Sequence, residues 1–122
     1  MNYIETNNTI MPIAQFLVKK DVEVSADALN NIVIDISQTI GVDEKDICLN
    51  VINDFLQAGQ QYKVFVNLYL PSLWFPKDSA KVQLIFLETI VKYLSVIKDD
   101  VFIITTIVEP GNVVENGDII DW

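Results

Sequence analysis

Residues 13–18 read Ile-Ala-Gln-Phe-Leu-Val, with Met11-Pro12 directly before them. A run that is apolar almost throughout, rather than alternating, predicts a short strand covered on both faces. Proline tolerates the first position of a strand because it has no N–H to give to a ladder. A strand–helix–strand unit begins at this strand and is then repeated, and that repetition limits the chain to very few architectures.

After Lys19-Lys20-Asp21, Ser25 is placed to cap a helix by accepting a first-turn N–H. Val24 and Leu29 have the spacing of a hydrophobic staple. Leu29, Ile32, Val33, Ile36 and Ile40 share one helical face, and Gly41 supplies the left-handed stop. Asn30, Asn31, Asp35 and Gln38 fall elsewhere on the helix. Asp43-Glu44-Lys45-Asp46 leads to a second strand over 47–55. Ala58-Gly59-Gln60-Gln61 then divides the chain.

The second unit opens on a strand over 62–70, stopped by Pro71. A loop bounded by Pro71 and Pro76 comes next. Asp78 or Ser79 caps a helix expected to run through Lys98. Its apolar residues occur on most sides (Val82, Ile85, Phe86, Thr89 and Tyr93; Leu84, Leu87, Val91 and Leu94), so burial on most sides is expected. A fourth strand covers 101–108. Glu109-Pro110-Gly111-Asn112 has the residues of a type II turn. Asn116-Gly117, between Val113-Val114 and Ile119-Ile120, marks a hairpin. The organisation expected is a single domain over 1–122. It comprises a polar leader or edge extension at 1–10, halves at 11–57 and 62–109, and a C-terminal hairpin at 110–122.

Composition narrows the chemistry. Apolar residues make up 51% of the 122, and the mean hydropathy is +0.33. A chain this small with so much apolar surface is expected to associate. The formal charge is −9, which argues against nucleic acid and anionic membranes as partners. All eight basic residues are lysine; arginine and histidine are absent. Ser-His-Asp or Cys-His catalysis, a histidine metal site and guanidinium clamping of a carboxylate are thereby excluded within one chain.

Cys48 cannot form an internal disulfide as the sole cysteine, and it reads as a small core residue in a cytoplasmic protein. The first ten residues lack the pattern of a signal peptide, and no stretch suits a bilayer span. The glycines are too scattered for a phosphate-cradling loop. Asp43, Glu44 and Asp46 lack the spacing of an oxygen-ligand loop. No cofactor and no metal are called for. Tyr62, Trp74, Phe75 and Trp122 are candidates for a pocket wall or a subunit contact. Asn112 and Glu115 read as turn and hairpin residues.

Two topologies share the order β-α-β-β-α-β: the ferredoxin-like domain, often a dimeric metabolite-binding regulator, and the tautomerase superfamily. Met11-Pro12-Ile13-Ala14-Gln15 resembles the start of a tautomerase. Gly41-Val42 before an Asp-rich link, and Lys98-Asp99-Asp100-Val101-Phe102-Ile103, resemble that superfamily too. Asn112-Val113-Val114-Glu115-Asn116-Gly117-Asp118 resembles a bacterial branch that ends on a Glu-Asn-Gly hairpin. The superfamily includes 4-oxalocrotonate tautomerase and macrophage migration inhibitory factor.

The resemblance implies an α+β fold of tandem βαβ units, in which a four-stranded mixed sheet carries both helices on one face. It further implies a homotrimer, a small carbonyl acid as ligand, and keto–enol proton transfer by an N-terminal proline. The matching position is Pro12. Burial of a secondary amine disfavours its charged form and leaves a base at neutral pH. In this sequence the nitrogen of Pro12 is in an amide with Met11, so the role requires Pro12 to become N-terminal. Lys19 and Lys20, the nearest cations along the chain, are placed as substrate-binding residues, with Tyr62 and Trp74. The family's arginines have no counterpart. A non-catalytic ligand-binding or scaffold protein of the same fold is the alternative.

Overall fold

The computed structural model describes residues 11–122; the expected leader at 1–10 lies outside them. Strand β1 (Ile13–Val18) leads to helix α1 (Ala26–Ile40) and strand β2 (Cys48–Asn53). Strand β3 (Val64–Pro71), helix α2 (Ser79–Leu94) and strand β4 (Val101–Val108) repeat the order. Strands β5 (Val113–Glu115) and β6 (Asp118–Ile120) form the terminal hairpin.

The larger sheet has the order β2-β1-β3-β4. β1 pairs in parallel with β2, from Ile13 opposite Cys48 to Val18 opposite Asn53. β3 pairs in parallel with β4, and the two halves meet antiparallel at β1 and β3. This direct pairing of β1 with β2 separates the two candidate topologies, because the ferredoxin-like arrangement splits its βαβ unit.

One face of the sheet is the core. Ala14, Phe16 and Val18 of β1, and Val64, Val66, Leu68 and Leu70 of β3, are fully buried. Ile32, Ile36 and Ile40 of α1 and Val82, Phe86 and Ile90 of α2 complete it. Phe16 and Phe86 meet edge to face, with ring centroids 6.4 Å apart. Helix α1 starts where Ser25 Oγ accepts from the N–H of Ala28, and it stops at Gly41, φ 77°. Asn116 (φ 54°) and Gly117 (φ 83°) both take the positive φ of a type I′ turn.

Several expectations need correction. β1 alternates rather than being covered on both faces: Ile13, Gln15 and Leu17 are only half-buried. A run with this composition therefore leaves its second face open in a single chain. β2 is shorter than 47–55, because Asp54 turns at φ 57°. Pro71 is the last residue of β3, opposite Val108, rather than a stop beyond the strand. α2 ends at Leu94, four residues before Lys98; Ser95 adopts φ 55° and Val96 folds into the core. Asp78 holds the cap position of α2 without a side-chain cap bond. The outer side of α2 is not buried: Leu84 is 59% exposed.

Candidate active site

Pro12 is buried at the head of β1, and its carbonyl accepts from the N–H of Cys48 at 3.1 Å. That bond ties the first residues of both parallel strands together. Because β3 runs the other way, its C-terminal end reaches the same edge of the sheet, with Ile13 opposite Tyr69. There the chain passes through buried Pro71 into a 3-10 turn at Ser72–Trp74. The C-terminus returns to this end as well, where Trp122 Nε1 donates to Ser72 Oγ at 3.3 Å. Trp74 is 2% exposed and part of the core. Phe75, a candidate for a pocket wall or a subunit contact, is largely exposed in the single chain. Tyr69, Pro71, Trp74 and Trp122 are thus brought to the same end of the sheet as Pro12.

Three of the named site residues are at the opposite end. Pro12 and Lys19 are seven residues apart along an extended strand, roughly 23 Å at about 3.3 Å per residue. The Lys19 Nζ donates to Gln61 Oε1 at 2.9 Å and stands 5.5 Å from the centroid of the Phe55 ring. Lys20 is exposed beside it. Tyr62 packs on Phe102, centroids 5.0 Å apart, and Phe102 stacks on Phe65. So Pro12 and Trp74 share one end of the sheet, whereas Lys19, Lys20 and Tyr62 share the other. Within one chain a strand carries successive residues away from its head, so nearness in sequence to Pro12 does not place Lys19 and Lys20 beside it.

The topology brings Lys45 and Lys77 to the Pro12 end. Lys45 lies in the 3-10 turn Glu44–Asp46, just before β2 begins beside Ile13. Lys77 lies between the Ser72–Trp74 turn and α2. Neither is near Pro12 in sequence; the parallel pairing of β1 and β2 brings Lys45 there. Asp43 caps the turn by accepting from the N–H of Lys45 at 3.1 Å, so the acidic link is structural. Among the described residues no cluster of three metal-ligating side chains occurs, and no helix is long and apolar enough to cross a membrane. A cleft of about 400 Å³ lies at the far end, lined by Asp21, Glu23, Ser25, Lys63 and Tyr93 among others. Lys63 pairs with Asp21 there at 3.5 Å.

No protein-family model matches the sequence, and no curated protein matches it. Solved structures match its fold. The wild-type symmetric trimer of the Q0 fused 4-OT superposes with a TM-score of 0.70 at 16% identity, over 88% of this chain and 95% of that one. The chain has the tautomerase fold. The macrophage migration inhibitory factor homologue of Prochlorococcus marinus gives a TM-score of 0.67 at 15% identity, over 89% and 99%. The migration inhibitory factor-like protein of Entamoeba histolytica gives 0.66 at 10%, over 88% and 97%. The shared tautomerase fold accounts for the tandem units, the unsplit strand pairs and the helices on one face.

Proposed function

We infer that this is a tautomerase-like protein that assembles as a homotrimer and transfers a proton next to the carbonyl of a small carbonyl acid when Pro12 is amino-terminal. The observation that carries the reading is the position of Pro12: buried, at the head of the strand from which the tautomerase fold is built. A free secondary amine there would be held largely neutral by its apolar surroundings and would act as the base. Trp74 and Trp122 would wall the site, and Lys45 or Lys77 would attract the carboxylate as a point charge. The trimer is supported by the fused 4-OT trimer of the same fold and by the open apolar face of the sheet.

The test compares two forms of the chain, one beginning at Met1 and one at Pro12, for ketonisation of phenylpyruvate and 2-hydroxymuconate. Activity confined to the Pro12 form is expected. An inert, folded Pro12 form overturns the catalytic reading.

A second reading is a non-catalytic binding or scaffold protein of the same fold. It is favoured by the amide that Met11 makes with Pro12, which leaves no basic nitrogen, and by the 2% exposure of Met11. The mass of the protein isolated from its source distinguishes the two. A chain retaining Met11 supports this reading, and one starting at Pro12 supports catalysis.

A further inference from the structure

Within the four main strands no residue carries a charge, although the whole chain carries −9. The face of the sheet turned away from the helices presents Ile13, Leu17, Ile52, Phe65, Phe102 and Ile104, of which Ile52 and Ile104 are 45% and 49% exposed. Across the middle of this face runs a row of amides. Asn50 of β2 is in register with Gln15 of β1, which is in register with Asn67 of β3. The Asn67 Nδ2 donates to Gln15 Oε1 at 3.1 Å. Apolar rows flank it: Leu17, Ile52, Phe65 and Phe102 on one side, Ile13, Cys48 and Tyr69 on the other.

We propose that this amide row is the element that fixes how copies of the chain pack against one another through the open sheet face. The inference rests on the homo-oligomeric part of the proposed function. The occupant is another copy, for two reasons. A strongly acidic chain meets least repulsion from itself through a surface without charge, and the strands that form this face carry none. An amide row is also self-complementary. After the Asn67–Gln15 bond, Gln15 keeps its N–H donors and Asn67 keeps its carbonyl acceptor, and an equivalent row in a neighbouring copy supplies the reciprocal groups.

The flanking apolar rows provide adhesion but little direction, since apolar burial is non-directional. The amides add direction: any register that buries them unpaired is disfavoured. A single buried asparagine sets register and copy number in coiled coils on the same principle.

The experiment is native mass spectrometry and sedimentation equilibrium on the full chain and its variants, with circular dichroism to establish folding. For Gln15→Leu/Asn67→Leu the expected result is association at least as tight as wild type but spread over more than one stoichiometry. For Gln15→Ala, which strands the Asn67 N–H, the expected result is dissociation about tenfold easier. Gln15→Glu covers the case in which the leucine variant does not fold. It should assemble at low pH with the carboxyl protonated and come apart as pH rises through the carboxyl range.

Leucine and glutamate variants that keep wild-type stoichiometry and affinity overturn the proposal, because the row then faces solvent. A wild type that is dimeric, with the row variants still redistributing, removes the threefold reading and leaves this inference standing. A wild type monomeric at every concentration removes both.

Discussion

The hydroxyl of Tyr93 on α2 donates to Oδ2 of Asp35 on α1 at 3.1 Å. The two helices are thereby joined by a polar contact. Thr39 Oγ1 donates to the Asp35 carbonyl oxygen at 2.7 Å, and Lys92 Nζ reaches the same carboxylate oxygen as Tyr93, at 3.3 Å. Tyr93→Phe removes one partly buried hydrogen bond and should cost about 0.5–1.5 kcal/mol in urea unfolding. Asp35→Ala strands the tyrosine hydroxyl as well, and should cost somewhat more. Equal stability of wild type and both variants would show that the contact is an ornament of the surface.

Lys92 provides a pH signature of the same contact. Its hydrogen bond to Asp35, then that to Tyr93, holds its ammonium above the usual 10.5. A lysine whose folded value is raised stabilises the fold fully below its unfolded value, and that contribution is lost as pH rises through the folded one. The ammonium is exposed, so the effect on stability is small and sensitive to salt. Asp35→Asn should bring the Lys92 titration down toward 10.5, as read by nitrogen NMR of the side chain. No movement of that titration would contradict the pairing.

The core and the outer side of α2 should respond in opposite ways. Phe86 is fully buried and meets Phe16 edge to face, so Phe86→Ala should cost about 3–5 kcal/mol. Leu84 borders a shallow apolar cleft between α2 and β4 with Leu87, Val101 and Ile103, and is 59% exposed. In the isolated chain Leu84→Ala should change stability by less than about 0.5 kcal/mol. A large loss at Leu84 that grows with protein concentration would mean that association covers this side of the helix.

Much of the fold was legible because local signals and long-range pairing agree. Ser25, Gly41 and Asn116-Gly117 perform the turns their chemistry suits, and β1 and β4 have the bounds that the apolar runs mark. The errors share a physical cause. Hydropathy records that a side chain is apolar, without recording whether its cover lies in the same chain. Leu84 and the open face of β1 therefore read as buried. The end of α2 was missed because Ser95 accepts a left-handed turn that its residue type does not advertise. Of the proposed site, the sequence marks Pro12 and Trp74, which the fold brings to one end. Lys19 and Lys20, nearest to Pro12 in sequence, and Tyr62, an aromatic wall candidate, lie at the other end of a strand about 20 Å long in the same chain.

The topology provides a test of which cations serve Pro12. In a chain beginning at Pro12, a carboxylate bound beside the proline nitrogen lies at the end of the sheet that holds Lys45 and Lys77. An exposed lysine adds about 1 kcal/mol or less to such binding, because water and salt screen it. Lys45→Ala or Lys77→Ala should therefore raise KM for phenylpyruvate by up to about fivefold, with kcat little changed, since a point charge that attracts the substrate binds ground and transition states alike. Lys19 is engaged with Gln61 and Phe55 roughly 23 Å away along β1. Lys19→Ala and Lys20→Ala should leave KM unchanged at every ionic strength. If instead the Lys19 or Lys20 variants raise KM while Lys45 and Lys77 variants do not, the carboxylate is held by lysines from the far end of a neighbouring copy. The site would then be one that a single chain cannot assemble.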